Sequence, residues 1–562
     1  MLRTVAIPRQ PWLAIAVALA TVAFAAGCGS SSSSSSESSA ATTVNPGDIP
    51  NGGTLNYPLY ANPASVTPLH SYESEGINIE KNVFAGLVDY NWKTLAVVPA
   101  IATSWDHNAD NTVFTFHLRS GVKFQPGENG ENYGDVTADT FVKDWGIACA
   151  KDTASEVSYI LEPIKGFEEC ANSNNQVLSG AKAINPTTLQ VTLSSPFGDF
   201  PTTMGHPVTW AFPPELANTP DKEKAFEKYP VGAGPFQFVS WTPNKSVVIK
   251  KFPGYYGTPA HLNQVDFSIY PQSNDNAPFQ AFKNGQGDMS RIPSGQVKAT
   301  EADPTVQNDV RLGTELALYY YGFQLNGDFT LAKNKMLRQA LAWATNSEAI
   351  VNNINEGVGK VADGLVPPGI PGYKPGMSPY HYDIAKAKAL VAASGVPNPE
   401  VTLNYNTDPG HQRIAQALAQ GYQEAGFTVK LANYEWGAFN DKLFKGELEF
   451  WRSGWGADYP LMDNFLYPLF ASSQAGKNNY SYYKNPKVDE LLKQARAESD
   501  AQKRYADYFH IGQVIMQDVP EIPIYYYGHA WVVSPQVVNW AFDAMAVPHF
   551  AEMGVDRSQP HL

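Results

Sequence analysis

Alternation marks the strands in the first half of the chain. Between Thr112 and Leu118, Phe114, Phe116 and Leu118 fall on one face, the period-two pattern of a strand with one side buried. Val191–Leu193 and Val247–Phe252 predict further strands, turn-rich segments and strands are expected over 52–90, and Asp139–Ala148 reads as a short helix. Proline is frequent between 196 and 278, which predicts loops and short strands there. The second half changes period. Lys335–Asn353 reads as helical, and Asp383 and Gly395 bracket a helix as N-cap and stop. A strand near Val401–Tyr405 leads to a helix over His411–Ala425, with Ile414, Leu418 and Tyr422 in line and Gly426 ending it. Phe427, Val429 and Leu431 then alternate, Trp436–Lys445 is helical, and Leu448–Arg452 is a strand. Strand–helix–strand–helix–strand predicts a parallel α/β sheet. Ligands on such sheets lie beyond the carboxyl ends of the strands, so the segment just after 452 is the first place to look for a site.

At 562 residues the chain exceeds what one hydrophobic core organises, and two or more lobes are expected. A net charge of −14 lacks the basic footprint that nucleic acid requires. Residues 1–28 have the form of an export signal. Arg3 and Arg9 precede an apolar run from Trp12 to Ala26, about 15 residues and short for a membrane span. Small residues before Cys28 resemble a bacterial lipobox, with Ala25 where leucine is usual; an ordinary secretory signal is the alternative. Ser30–Ser36 is unbroken serine, and 29–43 is expected to be a flexible tether with nothing to bury. The other two cysteines, Cys149 and Cys170, are either a disulfide, which an oxidising compartment favours, or two separate buried thiols.

Enzyme signatures are missing. None of the 11 histidines is followed by glutamate, Gly-x-Ser-x-Gly does not occur, and Gly359-Lys360 and Gly476-Lys477 lack the Ser/Thr of a phosphate loop. Without Cys-x-x-Cys, no structural zinc site is expected, and no cofactor is implied.

Several stretches point to one family. They are Val83-Phe84-Ala85-Gly86-Leu87, Pro99-Ala100-Ile101-Ala102-Thr103-Ser104-Trp105, Phe114 to Phe124, Val231-Gly232-Ala233-Gly234-Pro235-Phe236, Ala340-Leu341-Ala342-Trp343-Ala344 and Val519-Pro520-Glu521-Ile522-Pro523-Ile524-Tyr525. In order and spacing, from about Gly53 to Gln536, the chain resembles the oligopeptide- and dipeptide-binding proteins of ABC importers, the family 5 extracellular solute-binding proteins. The resemblance implies an α/β, two-lobed clam of the periplasmic-binding type, with an additional domain in the first lobe and two crossover strands as hinge. The first lobe is expected from 44–90, 206–322 and 525–562, the additional domain from 91–205, and the second lobe from 323–524.

The sharpest stretch is Gly454-Trp455-Gly456-Ala457-Asp458-Tyr459-Pro460, followed by Asn464-Phe465-Leu466. It resembles the family's Trp-x-Ala-Asp-Tyr segment, whose aspartate holds the ligand's α-ammonium, and that role carries over to Asp458. The chemistry suits any linear peptide, since each carries an amine cation and a carboxylate enclosed with it forms a charge-assisted hydrogen bond. A solvated, turn-capping aspartate is the plainer alternative. By the same resemblance Trp455, Gly456 and Tyr459 line the site, Trp436 faces the cleft, and Arg452 and His411 meet ligand carboxylates. Their alternatives are a core tryptophan, an intralobe salt bridge and a helix-start histidine. Leu443 replaces a further family arginine, so ligand length is open. In the first lobe Tyr72-Glu73-Ser74-Glu75 corresponds to a strand that pairs with the ligand backbone, placing Ser74 and Glu75 at the ligand or on an ordinary surface strand.

The resulting expectation is a monomeric, non-enzymatic lipoprotein on the extracytoplasmic face of the membrane. It would bind peptides and hand them to a permease and its ATPase. A nickel chelate, sugar or opine in the same fold is the second reading, and a secreted hydrolase or surface interaction protein the third.

Overall fold

The computed structural model describes residues 45–562 apart from Ser71, Gln272 and Ser273, and the side chain of Pro46 is likewise not described. Cys28, the signal segment 1–28 and the tether 29–43 lie outside the described residues.

Three larger sheets organise the molecule. The first has four strands in the order Thr54–Leu59, Gln264–Ile269, Ser246–Lys251, Phe236–Thr242, so residues far apart in sequence share one sheet. Thr54–Leu59 runs parallel to Gln264–Ile269, and the other pairs are antiparallel. The second, also four-stranded, is antiparallel in the order Ala102–His107, Val113–Leu118, Thr188–Thr192, Ala181–Asn185. Its Val113–Leu118 strand buries Phe114, Phe116 and Leu118, as the alternation requires. Helix Ala138–Cys149 packs beside this sheet, and a disulfide joins its last residue, Cys149, to Cys170.

The third sheet has seven strands and holds the predicted parallel unit. Glu400–Asn406 pairs in parallel with Thr428–Tyr434, and its Asn404 lies opposite Trp451 of the parallel strand Phe450–Gly456. Local chemistry sets the helix between the first two strands. Asp408 accepts the His411 amide at 2.9 Å, Pro409 opens the first turn, and Gly426, at φ +107°, closes Pro409–Ala425 in a conformation that costs other residues more. Ile414, Leu418 and Tyr422 form its buried face.

Two long strands cross between the lobes. Val310–Phe323, of 14 residues, and Glu521–Val533, of 13, pair antiparallel with a register shift after Thr314. At one end Trp531 and Val533 join the core of the first lobe; at the other Tyr319, Tyr321, Ile522 and Tyr525 join that of the second. Near the crossing the backbones approach so closely that a Cβ on Gly528 would stand 2.7 Å from Gly359 N and 2.8 Å from Gly313 O, which leaves room for glycine alone. The result is a mixed α/β, two-lobed clam.

Two expectations need correction. Ser74 and Glu75 are not on a strand: Ser74–Val83 is a helix, whose N-cap Glu73 accepts the Glu75 and Gly76 amides at 2.7 and 2.9 Å. Lys335–Asn353 is not one helix. Lys335–Ala344 ends where Thr345 leaves helical geometry, and the Asn346 side chain caps a new turn at Ala349 N.

Candidate functional site

Strand Phe450–Gly456 pairs with the inner half of Val310–Phe323, and the Ala457 amide still donates to Leu316 O at 2.9 Å. The chain then leaves the sheet, which places Asp458 just past the carboxyl end of a parallel strand. Its side chain is 18% exposed. Asn464, at the start of helix Met462–Phe470, fixes the turn: its Oδ1 accepts Asp458 N at 2.9 Å and Trp455 Nε1 at 3.1 Å, and its Nδ2 donates to Asp458 Oδ2 at 3.1 Å. Across the cleft, Tyr159, on the turn Ser158–Leu161, donates its hydroxyl to the same Oδ2. His206 Nε2 stands 4.0 Å from Oδ1. Its Nδ1 accepts Val208 N, and burial, with Lys81 nearby, drives its pKa down to about 3, so the ring is neutral.

Asp458 is thus an enclosed carboxylate held by two neutral donors. Among the described residues no lysine or arginine lies within 4.0 Å of it. Burial raises its pKa above the usual carboxylate range, and the Tyr159 and Asn464 hydrogen bonds offset that only in part. An anion withdrawn from water without a counter-charge is costly, and a cation arriving there recovers the cost.

Arg452, on the same strand, is the converse. Nη1 donates to Asn406 Oδ1 and Nη2 to the Tyr527 hydroxyl, both at 2.9 Å, and the guanidinium lies over the Tyr319 ring at 4.9 Å. Its buried Nε has no partner, and no carboxylate lies within salt-bridge distance among the described residues. His411 joins this group, with Nδ1 3.5 Å from the Tyr319 hydroxyl; burial and Arg452 lower its pKa.

The structure therefore gathers Trp455 and Asp458 at one place and Arg452 and His411 at another. Gly456 is exposed, with open space where a Cβ would stand, and Trp436 is 45% exposed at the head of helix Trp436–Phe444. Tyr459 is instead buried, its hydroxyl committed to Asp463 Oδ2 at 2.9 Å. Tyr159, His206, Asn406 and Tyr527 are site neighbours that sequence reasoning misses. Asn464 stands inside the quoted motif without a role assigned to it. A surface cavity of about 300 Å³, lined by residues including Phe124, Tyr133 and Glu215, includes none of the candidate residues. Among the described residues no cluster of His, Cys, Asp or Glu is arranged to hold a metal ion, and no helix is long and apolar enough to cross a membrane.

Residues 96–477 match the family described as bacterial extracellular solute-binding proteins, family 5. The chain belongs to this family. As a family 5 solute-binding protein it falls among binding proteins, and one solved relative is described as ABC transporter-associated. The oligopeptide-binding protein OppA of Bacillus subtilis is 29% identical over 500 residues, 85% of this chain and 88% of the relative. Heme-binding protein A of Haemophilus influenzae is 26% identical over 522 residues, 90% of this chain and 91% of the relative. The solved periplasmic binding protein DppA of Helicobacter pylori, in complex with the peptide STSA, superposes with a TM-score of 0.80 at 25% identity, over 90% of this chain and 99% of that one. Family 5 relatives thus carry different ligands, and the ligand of this member rests on its own residues.

Proposed function

We propose that this protein binds short peptides, with the ligand's α-ammonium at Asp458 and its carboxylate toward Arg452. The observation that carries the reading is the Asp458 carboxylate, enclosed between the lobes and, among the described residues, without a lysine or arginine within 4.0 Å. A free peptide supplies one positive and one negative terminus whatever its side chains, and the cleft offers one unmatched anion and one unmatched guanidinium. Arg452 suits a carboxylate because its planar fork bonds two oxygens at once. The peptide-binding relatives support the same ligand class. Cys28 would carry a lipid that holds the protein on the extracytoplasmic face, where a permease and its ATPase receive the peptide.

Isothermal titration with a tripeptide and its N-acetylated form tests the anchor. Acetylation removes the cation, and affinity is expected to fall by at least tenfold; equal affinity, or co-purification of a ligand without an amine, defeats the reading. Cys28→Ala is expected to move the protein from the membrane to the soluble fraction of fractionated cells.

A further inference from the structure

Away from the candidate ligand contacts, the two lobes meet along a second seam, where charges are paired. Asp199, just before the short helix Phe200–Thr203, accepts Arg504 Nε at 2.7 Å and Arg504 Nη2 at 2.6 Å. Phe200 belongs to the core of the first lobe. Arg504 stands on helix Ala501–Asp518, whose Tyr508 and Ile511 share a core with Trp451 of the second lobe. The pair is well covered, with side chains 17% and 5% exposed. Arg504 directs Nη1 at Glu498 O and Ser499 O of its own lobe, at 2.7 and 3.4 Å, so its only charged partner lies across the seam.

Two further contacts follow the same line. Gln474 Nε2 donates to Glu162 Oε2 at 2.7 Å, and the Arg496 guanidinium lies 5.0 Å from the Phe197 ring. Tyr459 and Leu461 are buried with the first lobe's core, although Met462 and Phe465 next to them pack with Trp451 in the second lobe.

A covered ion pair between two bodies that separate differs from one inside a single body. When the lobes part, both ions return to water. The Coulomb attraction is lost, but the penalty of withdrawing the ions from water is lost with it, and the two nearly cancel. Such a tie closes without locking. Neutralising one partner penalises the closed form alone, because only there is the other charge left covered and unpaired.

We propose that the Asp199–Arg504 pair, with Glu162–Gln474 beside it, is a clasp that keeps a share of the ligand-free protein closed. A ligand then meets lobes that are already partly shut, and its apparent affinity depends on a contact it does not touch. The clasp acts without ligand, so it stands or falls separately from the peptide reading.

Pulsed electron double resonance between nitroxides at Lys165→Cys and Lys493→Cys, both exposed positions and one on each side of the seam, tests this in dialysed, ligand-free Cys28→Ala protein. Cys149 and Cys170 are bonded to each other and take no label. With the seam intact, a short-distance and a long-distance population are expected. Asp199→Asn is expected to lower the short-to-long ratio at least about fivefold. Glu162→Ala is expected to lower it about twofold. A urea titration shows whether each variant is folded; if Asp199→Asn is not, Glu162→Ala decides. A distance distribution that the deciding substitution leaves unchanged, whether all short or all long, overturns the clasp. Loss of stability with the same distances does so too, since it makes the pair a fixed part of the fold.

Discussion

Asp458 and Asp463 stand at the two ends of one short turn, and their surroundings are opposite. Asp463 points into the second lobe at 1% exposure, where Arg496 grips it with Nε and Nη2, both at 2.8 Å, and the Tyr459 and Tyr508 hydroxyls fill the remaining lone pairs at 2.9 and 3.0 Å. Asp458 points into the cleft with two neutral donors and, among the described residues, no lysine or arginine within 4.0 Å. A saturated carboxylate holds the fold together. An enclosed but unmatched one carries an unfavourable energy that an arriving cation would relieve. The same contrast separates Arg504, bound in two-pronged fashion to Asp199 across the lobes at 2.6 and 2.7 Å, from Arg452, whose partners are an amide and a phenol. Of these four residues, Asp463 and Arg504 have complementary charge already in place, whereas Asp458 and Arg452, among the described residues, do not.

Breaking the saturated end has the larger effect. Asp463→Asn leaves the Arg496 guanidinium without its counter-charge and is expected to cost about 3–5 kcal/mol of stability, read as a lowered urea midpoint at unchanged slope. A loss under about 1 kcal/mol would mean that the Asp463–Arg496 pair is no more than a surface-type contact.

Changing the unmatched end sharpens the contrast, because stability and affinity are expected to move apart. Asp458→Asn is expected to weaken peptide binding by about 3 kcal/mol while the unfolding midpoint of the free protein at neutral pH does not fall. The sign follows from the raised pKa. A carboxyl whose folded pKa lies above its unfolded value binds more protons in the folded state, so its contribution to stability is lost as pH rises through that folded pKa. Ligand binding runs the other way: the ammonium needs the ionised form, so affinity is expected to drop on acidification at a pH above the ordinary carboxylate range. Titrations of wild type across pH 4–7 check this, and a flat profile would count against Asp458 as the anchor.

How far the sequence reveals all this depends on distance along the chain. The unit from Glu400 to Gly456 is legible because its signals are local: Asp408 and Gly426 punctuate the helix, and alternation marks the strands. Asp458 is legible in part, since its position past a strand end follows from that unit, whereas the role proposed for it comes from resemblance. Tyr159 is not legible, because it reaches Asp458 across 299 residues and nothing in its own neighbourhood marks it. Ser74–Val83 is misread for a different reason. The capping carboxylate is Glu73, a residue type outside the usual Ser, Thr, Asp and Asn signal, so the helix start looks like extended surface chain. Thr345 breaks a helical pattern that composition alone would continue, because its hydroxyl bonds both Leu341 O and the Tyr422 hydroxyl, a partner supplied by a distant helix.

The smallest expected effect concerns His70, which carries its charge between two carboxylates and so belongs with the saturated residues. Burial pulls its pKa down, but the hydrogen bonds to Glu156 and Glu223 outweigh that and raise it to about 10. A base whose folded pKa exceeds its unfolded value gives stability that is complete below the unfolded pKa of about 6.5 and is lost as pH rises toward the folded one. His70→Gln is therefore expected to cost about 1–2 kcal/mol at pH 6, and the wild-type advantage to shrink steadily between pH 6.5 and pH 10. Paired urea titrations of the two proteins over that range measure it. A pH-independent difference would show that the imidazole acts there by packing, and would move His70 from the charged frame of the first lobe to its neutral core.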